Sequence, residues 1–300
     1  MPVFNSCLQI PKRGGAMEIT ELLKNSVIIV NKPPGMTSHE TTTFVKKITG
    51  ATRAGHAGTL DPDVSGVLPV ALGRATKLLQ YIAGKDKTYV GIVKFRNPMD
   101  AKAVRELFAQ FTGTLTQTPP KISAVRKVPR KRTVHSLQLL EADGRLALFV
   151  TRVDAGTYIR TLCDDMGKKV GGARMEELRR TAVGKINEKE AHSMQELVDA
   201  VWFWKNKGDG AMLAKMLKPP EAFIDLPKVV VKESALRSLL NGAQLTVPGI
   251  EKMDDVERGW RVAVYFGGAF VGVGVVQMGL EEMARGKGVA VKIERMHYRK

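Results

Sequence analysis

Read for hydrophobic and polar periodicity, the chain alternates short apolar runs with amphipathic stretches, without the regular βαβ rhythm of a doubly wound fold. The run 27–30, Val-Ile-Ile-Val, predicts a strand that ends in the turn Asn31-Lys32-Pro33-Pro34-Gly35. A helix is expected over 38–48, with Gly50 placed as its C-cap. After a glycine-punctuated loop and an apolar segment, 75–82 predicts a helix stopped by Gly84, and 88–95 a strand. Asp100 opens a helix to about 111, 146–153 reads as strand, and 158–170 as helix before Gly171-Gly172. Ser193 and Glu196 have capping-box spacing and open a further helix. Trp202, Phe203 and Trp204 read as a packing stripe on that helix rather than a binding surface. Near Lys218-Pro219-Pro220 the pattern turns to short strands and glycine turns, with one helix around 234–240. The boundary falls at 218–226, giving a domain over 1–220 and a small β-barrel module over 221–300.

The 19-residue uncharged stretch 262–280 approaches membrane-spanning length. It holds five glycines, two of them adjacent at Gly267-Gly268 between β-forming flanks, so a hairpin is the expectation and the chain reads as soluble. Three hundred residues suffice for about two domains. Against 30 acidic residues stand 47 basic ones, a formal net charge of +17, which favours a polyanionic partner, most simply nucleic acid. Only Cys7 and Cys163 are present, which excludes a disulfide framework and a cysteine-rich zinc site and fits a reducing cytoplasm. Cys163 falls among apolar residues of its helix, as a core cysteine would. The five histidines are scattered without metal-binding spacing, so no metal and no cofactor is expected. P-loop, GxGxxG, HExxH and GxSxG signatures are absent.

What remains is a lone carboxylate in basic and aromatic company. In Gly55-His56-Ala57-Gly58-Thr59-Leu60-Asp61-Pro62, Asp61 is followed by a proline that disfavours its helical conformation. The flanking glycines permit close ligand approach. On loop chemistry alone a glycine- and aspartate-rich surface turn is the simpler account. The residues over 55–77, GHAGTLDPDVSGVLPVALGRATK, closely resemble the central motif of RNA pseudouridine synthases. NKPPGMTSHE at 31–40, KTYVG at 87–91, FTGTLTQTPPKISAV at 111–125, DAGTYIRTLCDDMG at 154–167 and MEELRRTAVG at 175–184 match in the same order. The stretch 226–250, with GKGVAVKIERM at 286–296, resembles the PUA RNA-binding domain. The best match is the dyskerin type, the catalytic subunit of H/ACA guide-RNA particles, and the bacterial enzyme acting on the tRNA T-loop is a nearer relative than most.

The resemblance implies an α+β (mixed α/β) catalytic fold with a largely antiparallel central sheet, followed by the PUA barrel. It implies a uridine-to-pseudouridine isomerase of archaeal kind, since no lysine-rich tail follows Lys300, acting in the cytoplasm on rRNA through H/ACA guides and on the tRNA T-loop. The family's catalytic carboxylate falls on Asp61, its arginine on Arg179, and its base-stacking tyrosine on Tyr89. By themselves, Arg179 and Arg180 read as helix-surface charge. His56 is expected near the displaced nucleotide, and Lys32 in support of the loop and the substrate RNA. Lys121, Arg126, Lys127, Arg130, Lys131 and Arg132 form a loop without acids, suited to phosphates. Asn31 stands where the family usually has aspartate. Implied partners are guide RNA, rRNA and tRNA, the small zinc-type and glycine/arginine-rich H/ACA core proteins, and the kink-turn-binding ribosomal-type protein. Two other readings are a stand-alone tRNA enzyme and a non-catalytic RNA scaffold of the same fold.

Overall fold

In the computed structural model, which describes residues 16–84, 86–118 and 126–298, local sequence signals place most elements. Thr37 and Glu40 close a capping box ahead of a helix that ends at Gly50 in the left-handed conformation. Asp100 and Ser193 cap two more helices through their side chains. The chain divides into two units, Met1–Pro220 and Glu221–Lys300.

The first unit runs α1 (Ala16–Leu23), β1 (Asn25–Lys32), α2 (Ser38–Thr49), β2 (Ala54–His56), β3 (Ser65–Gly73), α3 (Leu79–Ala83) and β4 (Lys87–Phe95). It continues through α4 (Ala101–Gln110), β5 (Gly113–Gln117), β6 (Arg130–Asp143), β7 (Leu146–Val153) and α5 (Ile159–Val170). β8 (Ala173–Val183), β9 (Ile186–Asn187), α6 (Met194–Lys207) and α7 (Ala211–Met216) complete it. One sheet takes the order β1-β3-β8-β4-β7-β6-β5, with β2 on β3 and β9 on β8. Its pairings are antiparallel except β3 with β8, which meet in parallel at Ser65–Arg179 and Gly66–Arg180. Gly66 makes that crossing possible: at φ +108° a Cβ would lie 2.1 Å from the Arg180 carbonyl oxygen.

Side chains of β4 alternate between buried and half-buried positions along the strand. Its Tyr89, Val93 and Phe95 join Phe108 of α4 and Leu162, Cys163 and Met166 of α5 in one core. A second core sets Ile28, Val30, Leu68 and Val70 against Val45, Leu197 and Leu213 from α2, α6 and α7. Each such side chain contributes roughly 1.5–3 kcal/mol on burial, which holds strands and helices in fixed register.

Three expectations need correction. The stretch 175–183 lies in strand β8 rather than on a helix surface. Its Met, Glu, Leu and Arg favour helix locally, but hydrogen bonding to β3 and β4 on either side overrides that preference. Arg130, Lys131 and Arg132 open strand β6 rather than lying in a loop. Trp202 and Phe203 are not packed inside: they are 49% and 44% exposed and meet edge to face at 5.3 Å. The core-facing positions of α6 are Leu197, Ala200 and Val201, which turns the next two residues outward while Trp204 packs.

The second unit carries β10 (Lys228–Val231), α8 (Glu233–Leu240), β11 (Leu245–Thr246), β12 (Ile250–Met253), β13 (Arg261–Phe266), β14 (Ala269–Val276), α9 (Leu280–Met283) and β15 (Val289–Met296). Its six strands run β11-β15-β14-β13-β10-β12 over a core that includes Val229, Leu236, Val262, Val271 and Val291. The uncharged stretch 262–280 forms most of the β13–β14 hairpin, turning at Gly267 and Gly268 with φ +53° and +82°. Among the described residues no helix is long and apolar enough to cross a membrane.

Candidate active site

The loop 57–64 joins β2 to β3, and its backbone is held from below at several points. Ser38, at the start of α2, donates through Oγ to the Leu60 carbonyl at 3.0 Å and accepts from the Leu60 N–H at 2.8 Å. Leu60 and Val64 anchor in the β4–α5 core. Lys32 is wholly buried, and its Nζ donates to the carbonyls of Pro33, Met36 and Pro62 at 2.8, 2.6 and 2.9 Å. The Gly35 N–H donates to the same Pro62 oxygen at 3.0 Å. Burial pulls the Lys32 ammonium below its ordinary pKa, against the opposing pull of Asp63 and Asp61. Lys32 therefore braces the loop from a buried position.

Between the pinned peptides of Leu60 and Pro62 stands Asp61, its side chain 56% exposed. Exposing a carboxylate on an immobilised backbone is what a group presented to a ligand requires. Its partner is Arg160 from the first turn of α5, whose Nη2 donates to Asp61 Oδ2 at 3.1 Å. Arg179 is not that partner. Its Nε donates to Glu188 at 2.9 Å and its Nη1 to Asn31 Oδ1 at 3.1 Å, at the β1 side of the crossing. Because β8 is a strand, Arg179 and Arg180 point to opposite faces.

Arg180 faces the loop's underside. It is fully buried, and its Nε and Nη2 donate to the carbonyls of Val67 and Gly58, each at 2.8 Å, so it ties both ends of the Asp61 loop together. Burial pulls its guanidinium below the usual arginine pKa, and the neighbouring Tyr89 opposes that pull. Tyr89 is 6% exposed and packs in the core with Leu60 and Val64, so in this structure the ring is part of the floor rather than an open platform. Lys87 lies in the same layer: a Cβ on Gly58 would come within 3.3 Å of both Lys87 Cε and Arg180 Nη1. Burial, then the Arg180 charge, lowers the Lys87 pKa to about 8, against Asp86.

His56 bridges two threonines, Nδ1 with Thr42 Oγ1 at 3.0 Å and Nε2 with Thr59 Oγ1 at 3.3 Å. Burial and then the Arg180 charge lower its pKa, which favours the neutral ring. Arg126, Lys127, Arg130 and Lys131 are exposed, and Arg132 is half-buried over the turn at Gly156. Lys121 lies outside the described residues. The basic strand is docked beside α5: the Thr133 N–H donates to Asp154 Oδ2 at 2.8 Å, and the Asp154 N–H to the Thr133 carbonyl at 2.9 Å.

Arg160 is the partner of Asp61 that local reading missed. It lies in the quoted motif DAGTYIRTLCDDMG, but 99 positions separate it from Asp61. Only the docking of α5 against the sheet brings the two together.

Three family models match this chain: the N-terminal domain of TruB family pseudouridylate synthase over 46–102, the tRNA pseudouridylate synthase B C-terminal domain over 160–225, and the PUA domain over 227–297. A protein of Pyrobaculum aerophilum named probable tRNA pseudouridine synthase B is 42% identical over 285 residues, covering 93% of this chain and 86% of that protein. One of the same name from Methanocaldococcus jannaschii is 43% identical, covering 93% and 85%. Among solved structures, a Cbf5-Nop10-Gar1 complex matches with TM-score 0.87 at 39% identity, covering 94% of this chain and 88% of the other. An H/ACA ribonucleoprotein bound to a substrate RNA containing 2'-deoxyuridine matches with TM-score 0.86 at 37% identity, covering 95% and 90%. With its carboxylate loop inside the first matched domain and Arg160 opening the second, the chain belongs to the TruB/Cbf5-type family of pseudouridine synthases, enzymes that act on RNA.

Proposed function

We propose that the chain isomerises uridine to pseudouridine in rRNA under the direction of H/ACA guide RNA, with Asp61 as its catalytic carboxylate. The observation that carries this reading is the exposed Asp61–Arg160 pair on a loop whose backbone is fixed by Ser38, Lys32 and Arg180. The target nucleotide leaves its stack, at a cost of a few kcal/mol. Asp61 then acts at the ribose, by attack on C1′ or by removal of the 2′ proton, while the N1–C1′ bond breaks. The detached base turns and C5 bonds to C1′, either as the Asp61–C1′ ester bond breaks or, on the other route, as C2′ regains its proton; C5 then loses its proton to water and N1 takes one up, so atoms and electrons balance without an oxidant or reductant. Arg160 supplies the compensating charge beside the carboxylate throughout.

The relatives solved as Cbf5 complexes with Nop10 and Gar1 support a chain that works with small H/ACA core proteins in an H/ACA particle; guide RNA and a kink-turn-binding protein join them in the proposal on the family resemblance alone. Arg126, Lys127, Arg130 and Lys131 would meet phosphates of the held RNA. A second reading, unguided action on the tRNA T-loop, is favoured by the relatives named for tRNA. Tritium release from C5-labelled uridine separates them. Full-length chain is assayed on a guided rRNA fragment with core partners and on a T-loop transcript without them. Guided turnover well above unguided turnover supports the proposal; efficient unaided turnover of the T-loop alone supports the second reading.

A further inference from the structure

Arg160 owes its position to a residue far from it in sequence. Helix α5 begins at Tyr158, which occupies the N-cap position without a side-chain cap. Such a helix start leaves backbone groups unsatisfied unless something else engages them. Here that role falls to Gln117, the last residue of β5, 41 positions upstream and only 4% exposed. Its Oε1 accepts from the Tyr158 N–H at 3.0 Å, and its Nε2 donates to the Tyr158 carbonyl at 3.1 Å. The same carbonyl accepts the Leu162 N–H at 3.0 Å and so begins the helix. Asp154 fastens the other end of the turn to β6 through Thr133. A two-point amide contact fixes both the place and the rotation of the peptide, which a one-point contact does not. Arg160 stands two residues further on, and its guanidinium reaches Asp61 from there.

We infer that Gln117 is a positioning residue for pseudouridine formation: through the Tyr158 peptide it orients the first turn of α5 and thereby the Arg160–Asp61 pair. The inference rests on the reading of Asp61 and Arg160 as the reacting pair. Gln117 also pairs across the β5–β6 ladder with Arg130, so the residue that orients the arginine and a cation offered to RNA belong to one strand pair.

The test is a double-mutant cycle on full-length chain, under conditions in which the parent turns over. Gln117→Met keeps the volume and removes both hydrogen bonds; Arg160→Lys keeps the charge and leaves a measurable rate. In the parent background Gln117→Met is expected to lower the single-turnover rate on the order of 10²-fold, the scale of a small misplacement of reacting groups. RNA affinity should stay within twofold. In the Arg160→Lys background the same change should cost less than threefold, because the geometry it protects is already lost. Equal losses in both backgrounds, or an unchanged rate in the parent, would overturn the inference. If Gln117→Met does not fold, Gln117→Glu carries the cycle, since it keeps the acceptor and drops the donor. Should Asp61→Asn or Arg160→Lys prove as active as the parent, the underlying reading fails instead, whatever Gln117 does.

Discussion

The Asp61 loop and the basic stretch 126–132 stand for two ways of using charge. In the loop, one exposed carboxylate is surrounded by buried donors that fix its backbone: Ser38, Lys32 and Arg180 all engage carbonyls there. In the basic stretch, Arg126, Lys127, Arg130 and Lys131 are exposed. Bond rearrangement, the role proposed for Asp61, needs a group held to within a fraction of an ångström, and the hydrogen bonds here converge on the backbone that carries that one side chain. Phosphate binding needs only positive charge in number and in reach, and gains little from rigidity. The two neighbouring arginines repeat the contrast at closer range. Arg180 is buried under the loop; Arg179 makes half-exposed bonds on the other face.

The comparison can be broken in order of effect. Arg180→Met would orphan the buried carbonyl of Val67 and the half-buried one of Gly58, at about 1–3 kcal/mol each. The variant should lose roughly 3 kcal/mol or more in urea unfolding, and its turnover with it; stability within 1 kcal/mol of the parent would show that the loop needs no such tie.

Lys87 gives a pH test. Its pKa falls from 10.5 in the unfolded chain to about 8 when folded. Between those values the unfolded chain holds a proton that the folded one lacks, so this group's contribution raises stability as pH climbs from 8 to 10.5. Below pH 8 a full penalty remains, at most about 3 kcal/mol. Lys87→Met should therefore remove a slope, and melting curves of both proteins across pH 8 to 10.5 should converge toward the alkaline end. Parallel curves would mean that the lysine keeps its ordinary affinity for protons.

Replacing Arg126, Lys127, Arg130 and Lys131 together by alanine tests the other region. Each phosphate contact contributes about 0.7 to the slope of log affinity against log salt for a single strand, so a slope smaller by about 3 is expected in filter binding. The single-turnover rate at saturating RNA should be unchanged. A rate loss with unaltered affinity would move these residues into the reacting centre. Smallest of all, Arg179→Ala should cost 0–1 kcal/mol, as expected for a half-exposed ion pair with Glu188. A collapse of turnover without loss of stability would restore it as the catalytic arginine.

Much of this was legible in the sequence where the signal is local. The capping box at Ser193, the left-handed Gly50 and the Gly267-Gly268 turn depend on neighbours within a few residues, and each is found where its signal stands. The carboxylate loop is also marked locally, by Gly55, Gly58, Pro62 and Gly66 set close around Asp61. Strand β8 was not legible: its composition favours helix, and only its two partners in the sheet make it a strand. That one misreading hid the alternation of Arg179 and Arg180. Arg160 and Gln117 act across 99 and 41 residues of chain, and no short-range pattern marks either contact. The outward turn of Trp202 and Phe203 follows from which side of α6 meets the core, which apolar content alone does not decide.

The central claim is that the carboxylate at 61 does the chemistry while the rest of the loop holds it still. Asp61→Asn keeps the shape and removes the negative charge. In single-turnover tritium release with the RNA demonstrably bound, the account predicts a loss of about a million-fold, equivalent to roughly 8 kcal/mol of barrier. A variant that still turns over within tenfold of the parent would contradict it.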